Sequence, residues 1–90
     1  MDTQNITFNI NGWNITLTGN KKMQLVNIDH REDYGVDVVW EDGQAKVMPK
    51  FLSSMTVEEA TTYANQMVEA TNAASEITAK VREHINNFPA

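Results

Sequence analysis

Apolar and polar residues alternate on both sides of an Asn-Gly pair near the start of the chain, as Ile6-Thr7-Phe8-Asn9-Ile10, Asn11-Gly12, Trp13-Asn14-Ile15-Thr16-Leu17. A period of two buries one face of a strand, and Asn-Gly readily takes positive φ at both centres of a type I′ turn, so the segment predicts a tight hairpin. A two-residue loop sets Ile10 opposite Trp13, Phe8 opposite Ile15 and Ile6 opposite Leu17, with every apolar residue on one face. Thr7, Asn9, Asn14 and Thr16 fall on the other face, which suits water. The same logic applied to Val36-Asp37-Val38-Val39-Trp40-Glu41, Asp42-Gly43, Gln44-Ala45-Lys46-Val47 predicts a second hairpin that pairs Trp40 with Ala45 and Val38 with Val47. Between them, Met23 to Ile28 reads as a strand entered through Gly19-Asn20-Lys21-Lys22, but Leu25, Val26 and Ile28 do not alternate cleanly and leave its register open. Pro49 has no amide for a sheet ladder and ends the fifth strand or confines it to an edge.

The period then changes. Thr56-Val57-Glu58-Glu59 is a capping box, in which the Thr56 hydroxyl accepts from the Glu59 amide and the Glu59 carboxylate reaches back. Ala60, Ala64, Met67, Thr71, Ala74, Thr78, Val81, Ile85 and Phe88 follow at spacings of three and four, widened by Tyr63, Ala70, Ile77 and His84. This is one amphipathic helix, stopped by Pro89. The chain thus predicts a single α+β domain over residues 1–90. An antiparallel sheet of about five strands, two tight hairpins plus a middle strand, occupies about 4–50. A connector over 49–56 leads to one long C-terminal helix over about 57–87, packed on one sheet face.

Length adds a constraint that pattern does not. About 30 helical residues span ~45 Å, whereas six-residue strands reach ~20 Å and five strands side by side cover a similar width, so the helix outruns the sheet. The apolar stripe continues in phase through Ala73-Ala74 with no helix breaker. The expectation drawn is that the proximal positions Ala60, Ala64 and Met67 pack on the sheet, while Ile77, Val81, His84, Ile85 and Phe88 form a partner interface, most simply with a second copy in a homodimer.

Composition narrows the function classes. No apolar run approaches the ~20 residues of a membrane span and no signal-peptide pattern opens the chain, which gives a cytoplasmic expectation without a membrane partner. The Asn5 and Asn14 sequons are accordingly read as strand sequence. With no cysteine there is no disulfide, thiolate nucleophile or thiolate metal site. A net charge of −5 and only one adjacent pair of bases, Lys21-Lys22, disfavour direct nucleic-acid binding, which ordinarily takes a basic stripe. The alternative function is a nucleic-acid-associated dimer in which two copies pool Lys21, Lys22 and Lys46.

Candidate chemistry is sparse. Only His30 and His84 could serve as imidazole bases, and Ser53, Ser54 and Ser75 lie in no nucleophile-elbow context. His30, within Asp29-His30-Arg31-Glu32-Asp33-Tyr34, reads as part of a solvated, ion-paired loop rather than a metal ligand. A cleft lined by His30, Asp33 and Tyr34 with shifted acidities would be needed to revive an enzyme reading. No glycine-rich phosphate loop or dinucleotide fingerprint occurs, and neither a cofactor nor a metal is called for. The expectation is a small, acidic, non-catalytic protein-interaction module with an unidentified protein partner. Small size and ten asparagines suggest a phage-type accessory or inhibitory protein.

Overall fold

The computed structural model describes residues 3–50 and 53–90. Five strands precede one helix: β1 (Gln4–Ile10), β2 (Trp13–Gly19), β3 (Gln24–Ile28), β4 (Val36–Glu41), β5 (Gln44–Pro49) and α1 (Val57–Asn86). The strands are antiparallel and form a three-stranded sheet, β1-β2-β3, and a two-stranded sheet, β4-β5. β3 lies alongside β4, and α1 packs chiefly on β5 and β4 and touches β1. The α+β architecture is the one the hydrophobic pattern predicts, with the strands divided three and two.

Both hairpins close through left-handed turn residues, Asn11 (φ 51°) with Gly12 (φ 92°) and Asp42 (φ 55°) with Gly43 (φ 76°). Each register follows from its two-residue loop: Phe8 faces Ile15 and Ile6 faces Leu17, while Trp40 faces Ala45 and Val38 faces Val47. The middle strand is now fixed. Val26 sits opposite Leu17 and Ile28 opposite Ile15, so both join the inner face, whereas Leu25 sits opposite Thr18 and is 71% exposed. The turn into β3 depends on Gly19, at φ 132°, where an added Cβ would lie 2.1 Å from the Met23 carbonyl oxygen. The Asn20 side chain then accepts from the Lys22 and Met23 amides.

One core joins both sheets to the helix. Trp13, Ile15, Leu17, Val36, Val38, Ile77 and Val81 are the largest fully buried side chains among the described residues, and each such residue contributes roughly 1.5–3 kcal/mol by leaving water. Ala70, Ala73 and Ala74 are buried on the same helix face, where small side chains let the helix approach the β4–β5 hairpin closely. At the docking line the Ala45 amide donates to Thr78 Oγ1 at 2.9 Å. The capping box forms as expected: the Glu59 amide donates to the Thr56 hydroxyl and the Thr56 amide to the Glu59 carboxylate. Beyond the helix the Lys21 amide donates to the Pro89 carbonyl, tying the tail to the β2–β3 turn.

The helix is clamped at the end opposite to the one expected. Ile77 and Val81 are fully buried and Phe88 is 3% exposed, all within the chain's own core. Ile85 is half-buried against that core, and the half-buried His84 ring packs 5.3 Å from Phe8. Of the interface expected of Ile77, Val81, His84, Ile85 and Phe88, the buried Ile77, Val81 and Phe88 are covered by the chain's own core, whereas His84 and Ile85 remain half-buried. Conversely, Ala60 and Ala64, expected in the core, are exposed.

The reason lies in the connector. The Gly35 amide donates to Gln66 Oε1 at 2.8 Å, and Lys50, just past β5, donates its amide to the Gly35 carbonyl. The strand end thus lies level with Gln66, and the nine helical residues before it rise ~14 Å past the sheet. The overhang is proximal. It draws the molecule out to 53 × 20 × 17 Å with a radius of gyration of 15.1 Å, against about 12 Å for a compact chain of this length.

Candidate functional site

Beneath the overhang lies a cleft of about 850 Å³, bounded by the 32–35 loop, the connector from Ser53 to Thr56 and the first three turns of α1. Its wall carries the apolar bodies of Tyr34, Met55 and Tyr63, and its lining includes the carboxylates of Glu32, Asp33, Glu58 and Glu59. All four acids are solvent-exposed, while Tyr34 is buried and Tyr63 and Met55 are half-buried. No lysine, arginine or histidine is among the described residues that line it. Glu58 and Glu59 stand there because a capping box favours acids at the positive end of the helix dipole, and the 32–33 acids because the loop between the two sheets is polar.

The wall is rigidly held. Tyr34 donates its hydroxyl to the Glu69 carboxylate one turn beyond the cleft, and burial followed by this acceptor pushes its pKa up to about 12. The phenol is consequently neutral and a donor throughout the ordinary pH range. Behind it the Arg31 guanidinium lies 3.9 Å from the Tyr34 ring centroid and 4.8 Å from that of Trp13, the two rings meeting edge to face at 5.2 Å. Arg31 also donates to the Asn11 carbonyl, so its charge is engaged with two ring faces and the first hairpin turn. Lys50 is engaged as well: it donates to the Arg31 carbonyl and pairs with Asp37 at 3.6 Å.

The structure separates the residues singled out by sequence. Asp33 and Tyr34 reach the cleft, whereas His30 is exposed and is not part of the lining. Lys46 is paired with Asp42 at 2.7 Å and with Glu41 at 3.8 Å, and Lys21 and Lys22 stand exposed in the β2–β3 turn. Among the described residues no cluster of three carboxylate or imidazole side chains has metal-site geometry. Among the described residues no helix is long and apolar enough to cross a membrane.

Three features escaped sequence reading: the proximal overhang, the stacking of Arg31 on Trp13 and Tyr34, and the Tyr34–Glu69 bond. The Arg31–Trp13 contact and the Tyr34–Glu69 bond join residues far apart in the chain, for which no local pattern exists. The first had a signal in the connector, whose length lets the helix begin beyond the strand end. No known protein family matches this chain, nor does any curated protein or solved structure.

Proposed function

We propose that this chain is a non-catalytic protein-interaction module that captures a basic segment of another protein in the cleft beneath its helix overhang. The observation that carries the reading is the pairing of an unpacked helix end with a cleft whose rim bears four carboxylates and no described cation. A lysine or arginine fits such a site in both its parts, the charged head at the rim and the aliphatic stem along Tyr34, Tyr63 and Met55. The net charge of −5 adds long-range attraction for a basic partner. The implied role is accessory or inhibitory: the module acts by masking a basic surface elsewhere.

The rival reading of a pooled lysine patch loses support because Lys46 is already paired with Asp42 and Glu41. The test is calorimetric titration at low salt with a 12-residue peptide alternating lysine and leucine, beside a glutamate-for-lysine counterpart. The basic peptide should bind, weaken steeply with added salt and lose most of its affinity against a Glu32→Lys, Glu58→Lys double variant. Equal binding of both peptides, or no binding of the basic one, would sink the proposal.

A further inference from the structure

The two outer strands of the molecule are treated in opposite ways. β5 is guarded: its Ala45 amide is capped by Thr78 of the helix, Lys46 stands in its middle and Pro49 ends it. Charged residues, proline and a covering helix are the usual means by which a sheet edge avoids pairing with another chain. β1 has none of them. From Gln4 to Ile10 it holds no charge, no proline and no glycine, and it pairs with β2 through seven residues without a bulge.

Its unpaired backbone groups can be identified. Asn14 of β2 accepts from the Asp29 amide at 2.9 Å, so its main chain faces β3 and not β1. The Asn9 opposite it therefore directs its own amide and carbonyl away from β2, and by alternation so do Thr7 and Asn5. Among the described residues none of these six groups has a main-chain or side-chain partner. On the inner face of the same edge Ile6 and Phe8 are only half-buried, beside His84 and Ile85, which are half-buried too.

We propose that β1 pairs with β1 of a second copy, joining two three-stranded sheets into one continuous six-stranded sheet. The occupant follows from self-complementarity. Laid antiparallel about a two-fold axis through Thr7, the strand sets Thr7 against Thr7, Asn5 against Asn9 and Ile6 against Phe8 of the other copy, and all seven residues find partners. Polar meets polar on the outer face, and on the inner face Ile6 meets Phe8 at the centre while Gln4 meets Ile10 at the two ends. The residues in hydrogen-bonding positions of this register are Asn5, Thr7 and Asn9, the three whose groups point outward, and each chain supplies three donors to the other. Charge points the same way: two copies that each carry −5 approach with least repulsion along an uncharged edge. The pairing covers Ile6 and Phe8 and brings His84 of each copy near the axis, and it is independent of the cleft.

The experiment is sedimentation velocity of the full chain from about 5 to 500 μM, with amide hydrogen exchange at both extremes. The wild type should pass from monomer to dimer, with the amides of Asn5, Thr7 and Asn9 gaining protection as concentration rises, while those of Ile6, Phe8 and Ile10 stay protected throughout. Thr7→Lys places like charges opposite each other at the axis and should weaken the dimer by about tenfold or more. Thr7→Pro removes an amide that β2 does not use and should abolish pairing without unfolding the hairpin. Far-ultraviolet circular dichroism checks the fold, and the basic-peptide titration should be unchanged in both variants. A wild type monomeric at 500 μM overturns the proposal, and so does a dimer that Thr7→Lys leaves intact or whose edge amides exchange equally at both concentrations.

Discussion

The two halves of α1 have similar helix-forming sequence and opposite situations. From Ala70 onward the helix turns Ala73, Ala74, Ile77 and Val81 into the core and is fastened at Thr78 to the β5 backbone. Before Ala70 only Tyr63, Gln66 and Met67 are even half-buried, and Val57 and Val68 are 86% and 61% exposed. The distal half is held by packing. The proximal half is tied only through Tyr63, Gln66, Met67 and Glu69, and its first two turns depend on the capping box and on backbone hydrogen bonds, which alone sustain short helices only marginally. Amphipathic pattern therefore marks which side of a helix is apolar, but not how far along its length a partner reaches.

Substitutions on either side of that divide should separate cleanly. Trp13, the sheet-side member of the clamped core, should show the largest effect, with Trp13→Ala losing about 3–5 kcal/mol in urea unfolding. On the helix side, Ile77→Ala should lose about 2–4 kcal/mol by the same measurement, and a loss under about 1 kcal/mol would mean that the distal half is not clamped.

At the boundary, Tyr34→Phe should lose about 1–2 kcal/mol by removing the hydroxyl that Glu69 accepts. Its pH signature is specific. The folded pKa of about 12 lies above the unfolded value of 10.0, so the stabilisation is complete below about pH 10 and fades as pH rises toward 12. The wild type should therefore lose stability over that window more steeply than the Phe variant, and parallel curves would mean that the bond does not persist in solution.

The smallest effects belong to the overhang. Thr56→Ala removes an acceptor worth ~1 kcal/mol to the first turn, yet little of this should reach global unfolding because Thr56 to Ala60 are all exposed. Hydrogen exchange should instead quicken for the first two turns alone. The Thr56 amide and hydroxyl hold the Glu59 carboxyl below its ordinary value, so the same fraying should appear in the wild type as pH falls through that lowered value. Val68→Ala should stay within about 0.5 kcal/mol of the wild type.

Most of the fold was legible because its instructions are local. Asn11-Gly12 and Asp42-Gly43 dictate both hairpin registers, Thr56 and Glu59 mark the helix start, and Pro89 follows its end. The β3 register was not local: Val26 and Ile28 are drawn inward by Leu17 and Ile15 across the ladder, and Leu25 is left outside. The candidate site was legible only in fragments. Asp33 and Tyr34 are the part of the cleft that the 29–34 segment marks, but the facing wall comes from the helix end that the hydrophobic pattern places in the core. The helix outruns the sheet as its length requires, but at its N-terminal end, because length says nothing about which end protrudes. That is settled by the Gly35–Gln66 bond, which sets the strand end level with Gln66.

The overhang also has an evolutionary reading. Along most of this chain two selective pressures, to fold and to bind, act on the same side chains and cannot be told apart from inherited variation. In the first nine residues of the helix they come apart, because folding asks little there beyond a cap and helical propensity. Sequence in that stretch is free to drift at exposed positions such as Ala60, Thr61, Ala64 and Asn65. Natural variants that nonetheless preserve an acid at the exposed Glu58 would record selection by a partner, at a position where the core has no vote.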